Sequence, residues 1–359
     1  MITRSIIPLL ILLTTCLSVQ ISFGQETAKK KVKNPSIFSS FPQEDILELH
    51  LQTNFKQLIK EKEQKEKIAS ILNYKDAEGK SISHNVKIKA RGSVRNENCY
   101  YPPFKLYFPK GVLEDAGFRK KFNDYKVVVK CKNVGNQEEL VLKEYLVYKM
   151  YQLMTDNSFR VQLVQLTIED LSKQQKTMQS YGFLIENEDE LKTRIKGKKV
   201  EIESAALTPD NFLPAQYDLM AMFQFMIGHT DWNVTGKNNL KVTQVAGDNL
   251  PSAIPFDFDF AGIVNSEYAV PHEQLPIKNV TDRFFLGKCR EKGAHQATVQ
   301  QFKDKKQAIL GLVSNFKYLS AKSKTEMRTY LESFFEIIES PKMLKNQITE
   351  NCDQQIKVE

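Results

Sequence analysis

The chain has 359 residues, of which 41% are apolar and 26% are charged, and its formal net charge is +8. This composition is typical of globular proteins, and it excludes disordered, collagen-like and polytopic membrane classes. The length predicts roughly two domains or lobes. Basic residues are spread along the chain without a stripe interleaved with aromatic residues, which argues against nucleic-acid binding but is compatible with an acidic substrate or a phosphate.

The chain begins with a short apolar stretch, residues 6–17, preceded by a basic residue. The stretch is shorter than the roughly 20 residues that a bilayer span needs, and its arrangement is that of a secretory signal peptide. Ser22 and Gly24 stand at the two small-residue positions of a cleavage site. We therefore predict a signal peptide over 1–24, export to the periplasm or the outside, and a mature chain without a transmembrane segment. A polar, flexible linker over 25–42 follows.

The predicted mature chain contains four cysteines, Cys99, Cys131, Cys289 and Cys352. An even number in an exported protein permits disulfides, and four cysteines allow three full pairings. Isolated buried thiols are the alternative. The spacing does not distinguish between them.

The N-terminal half alternates apolar and polar residues, which predicts β-strands. The predicted strands are 47–52, 68–74, 86–90, 104–108, 125–129, 161–168 and 181–185. The first three are expected to form an antiparallel meander with one face exposed to water. One helix, from about 138 to 154, interrupts the strands and carries an apolar stripe of helical spacing.

The C-terminal half is predicted to be mainly helical. Pro214 opens a helix that ends at Gly228. Two short apolar pieces, 240–242 and 253–256, are consistent with a hairpin. Two helices are predicted after them, at about 296–316 and 323–339. This order of elements predicts an α+β fold with a sheet-rich lobe and a helical lobe. The predicted boundaries are a sheet-rich N-lobe over 43–190, a helical C-lobe over 191–345 and a C-terminal tail over 346–359.

Acidic and amide residues of the C-terminal half indicate a site for a divalent metal and a phosphate. Asp231 follows the helix that ends at Gly228, and Asn238 and Asn239 come after it. Farther on, Asp257 and Asp259 alternate with phenylalanines, so on a strand both would point to one side. Two carboxylates on a partly buried face favour a cation, and Mg²⁺ prefers oxygen ligands. The alternative is a turn with solvated acids.

Two lysines at the end of an apolar strand are candidate phosphate ligands. Lys130 and Lys132 precede the predicted helix, whose Glu144 or Glu139 would fix the chosen lysine. Residues two apart on a strand share a side, so the sequence does not choose between the lysines. The alternative is a surface lysine at a strand end.

Two further candidates lie at turns. Arg91 precedes Gly92 where a strand turns back, and arginine can hold a phosphate with two hydrogen bonds while glycine lets the backbone approach it. A plain turn with exposed arginines is the alternative. Glu186 follows an apolar strand at the predicted lobe junction, where it would either present backbone groups to a nucleobase or begin a helix.

Five segments, in this order, resemble the CotH-like atypical protein kinase family, most of all a secreted branch of the Bacteroidetes type. They are 86–95, 127–133, 181–186, 227–233 and 254–262. The resemblance implies a two-lobed, protein-kinase-like fold with an antiparallel-sheet N-lobe and a mainly helical C-lobe. It also implies transfer of phosphate from ATP, with Mg²⁺, to hydroxyls of an envelope or secreted protein.

The same resemblance implies roles for particular residues. Asp231 would be the catalytic-loop acid, and Asn239 or Asn238 a metal ligand. Asp257 would be the metal-binding aspartate with Asp259 beside it, and the phosphate-binding lysine would be Lys130 or Lys132.

Three functions are therefore under consideration. The first is a secreted, Mg-ATP-dependent protein Ser/Thr kinase. The second is a catalytically inactive kinase-like module for binding or assembly in the envelope. It is motivated by Gly236, which stands where ordinary kinases place asparagine, five residues after Asp231. The third is metal-assisted hydrolysis of a phosphate ester by Asp257 and Asp259.

Overall fold

The structure is a computed structural model. It describes Met1 and residues 34–64, 66–172, 177–200, 206–291, 293–350 and 352. The predicted signal peptide lies outside the described residues, apart from Met1. Residues from Asn34 onward belong to one compact unit that combines β-sheet and α-helix. None of the helices in the described ranges is both long and apolar enough to cross a membrane.

The N-terminal half forms strands β1 to β7. They are Leu47–Thr53, Ile68–Lys75, Ser81–Ala90, Phe104–Tyr107, Asp124–Val129, Val161–Asp170 and Thr177–Ile185. The strands close into a barrel in the order β1-β2-β3-β4-β5-β7-β6, and β1 pairs with β6 in parallel. The predicted strands are confirmed, and β1, β2 and β3 pair antiparallel as expected, but the sheet as a whole closes into a barrel through one parallel pair. Local alternation reveals a strand without revealing that a partner far along the chain will close the sheet.

Nine α-helices, α1 to α9, lie in the described part of the chain. They are Phe55–Lys60, Val94–Asn98, Lys110–Asp115, Gln137–Met154, Glu188–Arg194, Pro214–Ile227, Gln296–Asn315, Ala321–Glu339 and Pro341–Leu344. A second sheet, of order β10-β9-β8, contains β8 Gly197–Lys199, β9 Leu240–Val245 and β10 Ser252–Pro255. The long helices match the predicted ones within a few residues. The short helices were missed because they hold too few residues for a periodic pattern.

Two apolar cores hold the unit together. One fills the barrel, and the other lies between the outer face of β6 and β7 and the long helices α4, α6, α7 and α8. Residues of the predicted linker belong to the barrel core: Ile37 and Phe38 are fully buried, and the Phe38 ring stacks on Tyr125 with 5.6 Å between centroids. The part of the predicted linker that the structure describes is therefore packed, because burial of its apolar side chains holds it in place.

Helix α4 lies between the barrel and the other helices, and most of its residues are buried. Its Tyr148 contacts the Phe258 ring edge-on, with centroids 4.7 Å apart. This contact fixes the loop after β10 against α4. Residues of α4 near Tyr148 therefore lie close to that loop.

Candidate functional site

Backbone hydrogen bonds bring together the loop after α6 and the loop after β10. Helix α6 ends at Gly228, whose φ of 66° is left-handed and favours glycine. The Gly262 N–H donates to the Gly228 carbonyl at 2.9 Å, and the Phe256 N–H donates to the Asn239 carbonyl at 3.0 Å. The two segments that carry the predicted acids are thus joined at both ends.

Asp231 is held by both of the predicted asparagines. Asn238 Nδ2 donates to one carboxylate oxygen at 2.8 Å, and Asn239 Nδ2 donates to the other at 2.9 Å. Burial raises the pKa of Asp231, the two asparagine hydrogen bonds oppose that rise, and the charge of Asp257 adds to it. The result is an oriented carboxylate that binds a proton more readily than a solvated one.

Asp257 lies in the loop that follows β10. Its φ is 63°, and its N–H donates to the Tyr148 hydroxyl at 2.8 Å. The carboxylate lies 3.7 Å from the Arg91 guanidinium. Burial raises the pKa of Asp257, but the positive charges of Arg91 and Lys126 outweigh burial and hold it below its usual range. Asp257 therefore stays ionised.

Asp259 has different partners from Asp257. The Tyr268 hydroxyl donates to its Oδ2 at 2.8 Å, and burial, followed by the charge of Asp257, raises its pKa to about 6. The prediction that both acids point to one side of a strand is wrong. Strand β10 ends at Pro255, and the left-handed backbone at Asp257 breaks the alternation on which the prediction depended.

Glu144 is buried on α4, and its partner is Arg95 instead of a strand lysine. Arg95 Nη1 lies 3.8 Å from Glu144 Oε2, and Arg95 Nη2 donates to the Val129 carbonyl at 2.5 Å. Neither Glu144 Oε1 nor Arg95 Nε has a hydrogen-bond partner within the described ranges. Burial and the charge of Asp259 raise the pKa of Glu144. Sequence reasoning missed Arg95, which lies on the five-residue helix α2.

Lys126 is the second residue that sequence reasoning missed. It lies on β5, and its Nζ is 4.2 Å from the centroid of the Phe256 ring. Burial, together with the charge of Arg91, lowers its pKa to about 7, although Asp257 opposes the shift. Its signal in the sequence is a lysine between the apolar Tyr125 and Val127 of a predicted strand.

A polar cavity of about 350 Å³ adjoins this region. Lys126 and Phe159 line it together with Lys105, Lys241 and Glu186. The side chain of Glu186 is fully buried and forms ion pairs with Arg160 and Arg194, at 2.8 Å and 2.9 Å. Its N–H donates to the Arg160 carbonyl, so that N–H is engaged within the protein.

The predicted lysines lie elsewhere. Lys130 pairs with Glu138 at 2.9 Å and also donates to the Gln179 carbonyl, whereas Lys132 lies 3.6 Å from Glu267. Glu139, the other predicted acid, accepts from the Ser320 N–H. The predicted pairing with Glu144 or Glu139 is wrong: β5 ends at Val129, both lysines lie beyond it, and they pair with Glu138 and Glu267.

The structure thus brings most of the predicted site into one region. The residues that gather there, linked by the contacts and charge effects above, are Arg91, Glu144, Asp231, Asn238, Asn239, Asp257 and Asp259, joined by the unpredicted Arg95 and Lys126. Glu186 lines the adjoining cavity, and Lys130 and Lys132 stand apart.

The oxygen atoms of this region are of the type that Mg²⁺ prefers as ligands. In the described ranges, no group of three or more His, Cys, Asp or Glu side chains has a metal-binding arrangement. The oxygen donors here are the ionised carboxylate of Asp257 and the amide oxygens of Asn238 and Asn239, whose Nδ2 atoms are engaged with Asp231. One carboxylate with amide oxygens is compatible with Mg²⁺, which keeps several water ligands and binds phosphates.

No protein-family model matches the chain, and no curated protein sequence matches it either. Among solved structures, the crystal structure of the Helicobacter pylori proinflammatory kinase CtkA is similar to it. The similarity covers 69% of this chain and 91% of that chain, with 10% sequence identity and a TM-score of 0.36. At this TM-score the structural neighbour is distant and carries no argument about function.

Proposed function

We propose that the protein is an exported, Mg²⁺- and ATP-dependent phosphotransferase that acts on Ser or Thr hydroxyls of proteins and has a two-lobed, kinase-like layout. One observation carries the proposal. An oriented carboxylate, Asp231, and an ionised carboxylate, Asp257, reach one region from separate loops, next to Arg91 and Lys126. Phosphoryl transfer needs such a set: an acid for the hydroxyl, oxygen ligands for the metal, and cations for the phosphates.

Asp231 is proposed as the acid that orients the attacking hydroxyl and accepts its proton. Hydrogen bonds from Asn238 and Asn239 hold its two oxygens, so the carboxylate is positioned before substrate binds. Its raised pKa favours proton acceptance over that of an ordinary surface aspartate. This role agrees with the one that the family resemblance implies.

Asp257 and the amide oxygen of Asn239 or Asn238 are proposed to hold Mg²⁺, with Asp259 close by. When bound, Mg²⁺ would neutralise phosphate charge. Arg91 and Lys126 are proposed as the phosphate-binding cations, and they replace the predicted Lys130 and Lys132.

Asp259 and the disulfides bear on the alternatives. Metal-assisted hydrolysis needs Asp257 and Asp259 to act as a pair, but Asp259 accepts a hydrogen bond from Tyr268, which weakens that alternative.

The protein also contains the disulfides Cys99–Cys131 and Cys289–Cys352. Such bonds persist in oxidising compartments, which supports the proposed export.

The test combines nucleotide binding with phosphate transfer. Mg-ATP should raise the melting temperature, and γ-labelled ATP should label a protein substrate such as casein or the chain itself. Asp231→Asn should abolish labelling while retaining Mg-ATP binding, and Asp257→Asn should lose both. Asp115→Asn, on the exposed end of α3, is the matched control and should behave as wild type.

Two results separate the candidate functions. Binding of Mg-ATP without labelling of any hydroxyl would favour the inactive kinase-like module. The absence of any shift with nucleotide or Mg²⁺ would contradict the phosphotransferase and would favour a binding or assembly module that uses no nucleotide.

A further inference from the structure

We propose that Arg95 is a positioning residue for the acidic cluster of the site, which consists of Glu144, Asp257 and Asp259. We also propose that the Cys99–Cys131 disulfide is the latch that holds Arg95 beside this cluster. Opening the latch is then expected to weaken binding of Mg-ATP. Only this last consequence rests on the proposed function. Both residues of this proposal that precede β4, Arg95 and Cys99, lie in the segment 91–103, which connects β3 to β4 and which we call the arm.

The arm is tied to the barrel at its base and at its tip. At the base, the Arg91 N–H donates to the Pro103 carbonyl at 2.9 Å. At the tip, Cys99 is bonded to Cys131, which lies just beyond the end of β5, and the Tyr101 N–H donates to the Cys131 carbonyl at 3.0 Å. The disulfide is the one covalent tie between the arm and the end of β5.

Helix α2 lies within the arm and carries Arg95 inward. The Cys99 N–H donates to the Arg95 carbonyl at 2.9 Å, so the disulfide lies one helical turn from the arginine. A helix of five residues is not stable by itself, because one or two hydrogen bonds do not compensate for the ordered backbone. The position of Arg95 therefore depends on what holds the arm.

Arg95 supplies the positive charge inside a cluster of buried acids. Its side chain lies 3.8 Å from Glu144. Burial and the negative charges of Asp259 and Asp257 raise the pKa of Glu144, and the positive charge of Arg95 opposes that rise. Removing one member of a buried charge set leaves the others without compensation, which is strongly unfavourable. Without Arg95 in place, Glu144 would lose its positively charged partner, and we expect the loop after β10, which carries Asp257 and Asp259, to lose its present arrangement.

The same arm also bears Arg91, the partner of Asp257. Release of the tip would free Arg95, whereas Arg91 keeps its hydrogen bond to Pro103 at the base of the arm. The second disulfide, Cys289–Cys352, joins the segment before α7 to the chain beyond α9, so it links segments that are distant in sequence from the arm. It provides a matched control for the loss of a disulfide as such.

The experiment compares two disulfide variants by hydrogen exchange and by Mg-ATP binding. In Cys99→Ala/Cys131→Ala, amide exchange across 91–103 should be at least tenfold faster than in wild type, and the Kd for Mg-ATP at least tenfold higher. In Cys289→Ala/Cys352→Ala, both quantities should stay within twofold of wild type. Circular dichroism checks that each variant folds.

Arg95 is tested with the disulfide intact. Arg95→Met should accelerate exchange of residues 256–262, whereas Arg95→Lys, which keeps the charge, should restore most of the protection. Arg95→Met/Glu144→Gln, which removes both charges, should also regain protection relative to Arg95→Met. A side chain that only filled space would be rescued by neither change.

The outcomes are distinct. Unchanged exchange of 91–103 in the Cys99→Ala/Cys131→Ala variant would overturn the latch, and equal exchange in Arg95→Met and Arg95→Lys would overturn the positioning role. If wild type binds no Mg-ATP, the proposed function fails, while the exchange measurements still decide the role of the arm. Faster exchange of the arm with unchanged Mg-ATP affinity would overturn the link between latch and binding.

Discussion

The Asp257 carboxylate lies 3.7 Å from the Arg91 guanidinium, and this contact joins the arm to the loop after β10. The side chains are 32% and 17% exposed, respectively, so the pair is open on one side to solvent. Partly exposed ion pairs contribute little to stability. We interpret the contact as one that sets charge in the site and that a bound phosphate and metal would rearrange.

Replacement of Arg91 should change the ionisation of Asp257. Arg91 is the largest influence that lowers the pKa of Asp257 against the effect of burial. In Arg91→Ala, we therefore expect the pKa of Asp257 to rise, because a close opposite charge is lost. Carboxyl-carbon NMR titration, assigned by comparison with Asp257→Asn, measures it. A pKa that stays where it is in wild type would show that Arg91 does not set the charge of Asp257.

The two asparagines that hold Asp231 differ in backbone conformation, which predicts different costs of substitution. Asn239 has a φ of 51°, in the left-handed region that costs a residue such as alanine about 1–2 kcal/mol. Asn239→Ala should therefore lower the free energy of unfolding by about 1 kcal/mol more than Asn239→Gly does, because glycine is unstrained there. Urea unfolding measures the difference.

Asn238→Ala and Asn238→Gly form the matched control. Asn238 also donates to the Asp231 carboxylate, but it is absent from the positive-φ residues of the described chain. Glycine should then give no advantage over alanine. If the two pairs of variants show the same difference, backbone strain at Asn239 is not the cause.

Lys126→Met should stabilise the protein and impair the proposed function. Burial lowers the pKa of Lys126 to about 7, so the fold disfavours its charged form. The unfolded chain binds this proton up to about pH 10.4, so wild-type stability should rise with pH between about 7 and 10. Methionine removes that dependence and the cost of burying the ammonium group, and we expect about 0.5–2 kcal/mol of added stability at pH 7.5, the usual range for one stabilising substitution.

The measurement for Lys126 is chemical unfolding at several pH values beside Mg-ATP binding. Lys132→Met serves as the control, because that side chain is about half exposed and lies at Glu267. A destabilised Lys126→Met protein would contradict the argument. So would Mg-ATP affinity equal to that of wild type.

The burial of the His229 ring predicts that the folded protein loses stability in mild acid. The ring is fully buried, its Nδ1 lies 3.1 Å from Gln224 Oε1, and burial lowers its pKa to about 4. Unfolded histidine titrates near pH 6.5, so between about pH 6.5 and 4 the unfolded state binds the extra proton. The contribution of His229 to stability is therefore present above this window and is lost as pH falls through it.

The variant His229→Gln removes the titrating ring and keeps an amide near Gln224. Its unfolding free energy should fall less steeply with decreasing pH than that of wild type, by up to one proton, or about 1.4 kcal/mol per pH unit. Unfolding by urea at pH 4.5, 5.5 and 7 gives the slopes. Parallel slopes for the two proteins would mean that His229 does not stay neutral in the folded state.

Alternation and helical spacing in the sequence determined the seven barrel strands and the long helices, because each pattern lies within one element. The same local information drew attention to Asp231, Asn238, Asn239 and Asp257. They stand directly beside predicted elements, and the fold brings them into one region.

Only the tertiary structure decided the remaining features, because each depends on segments that are distant along the chain. The pairing of β1 with β6 closes the barrel, and the arm brings Arg95 to Glu144. The cysteine pairing depends on which sulfur atoms meet in space, a relation that spacing alone does not carry. Periodicity describes which face of an element is buried, but it does not say which basic side chain reaches the acids. That Arg95 pairs with Glu144, and that Lys126 lies beside Phe256 while Lys130 and Lys132 pair elsewhere, depended on where β5 ends and on what packs beside it.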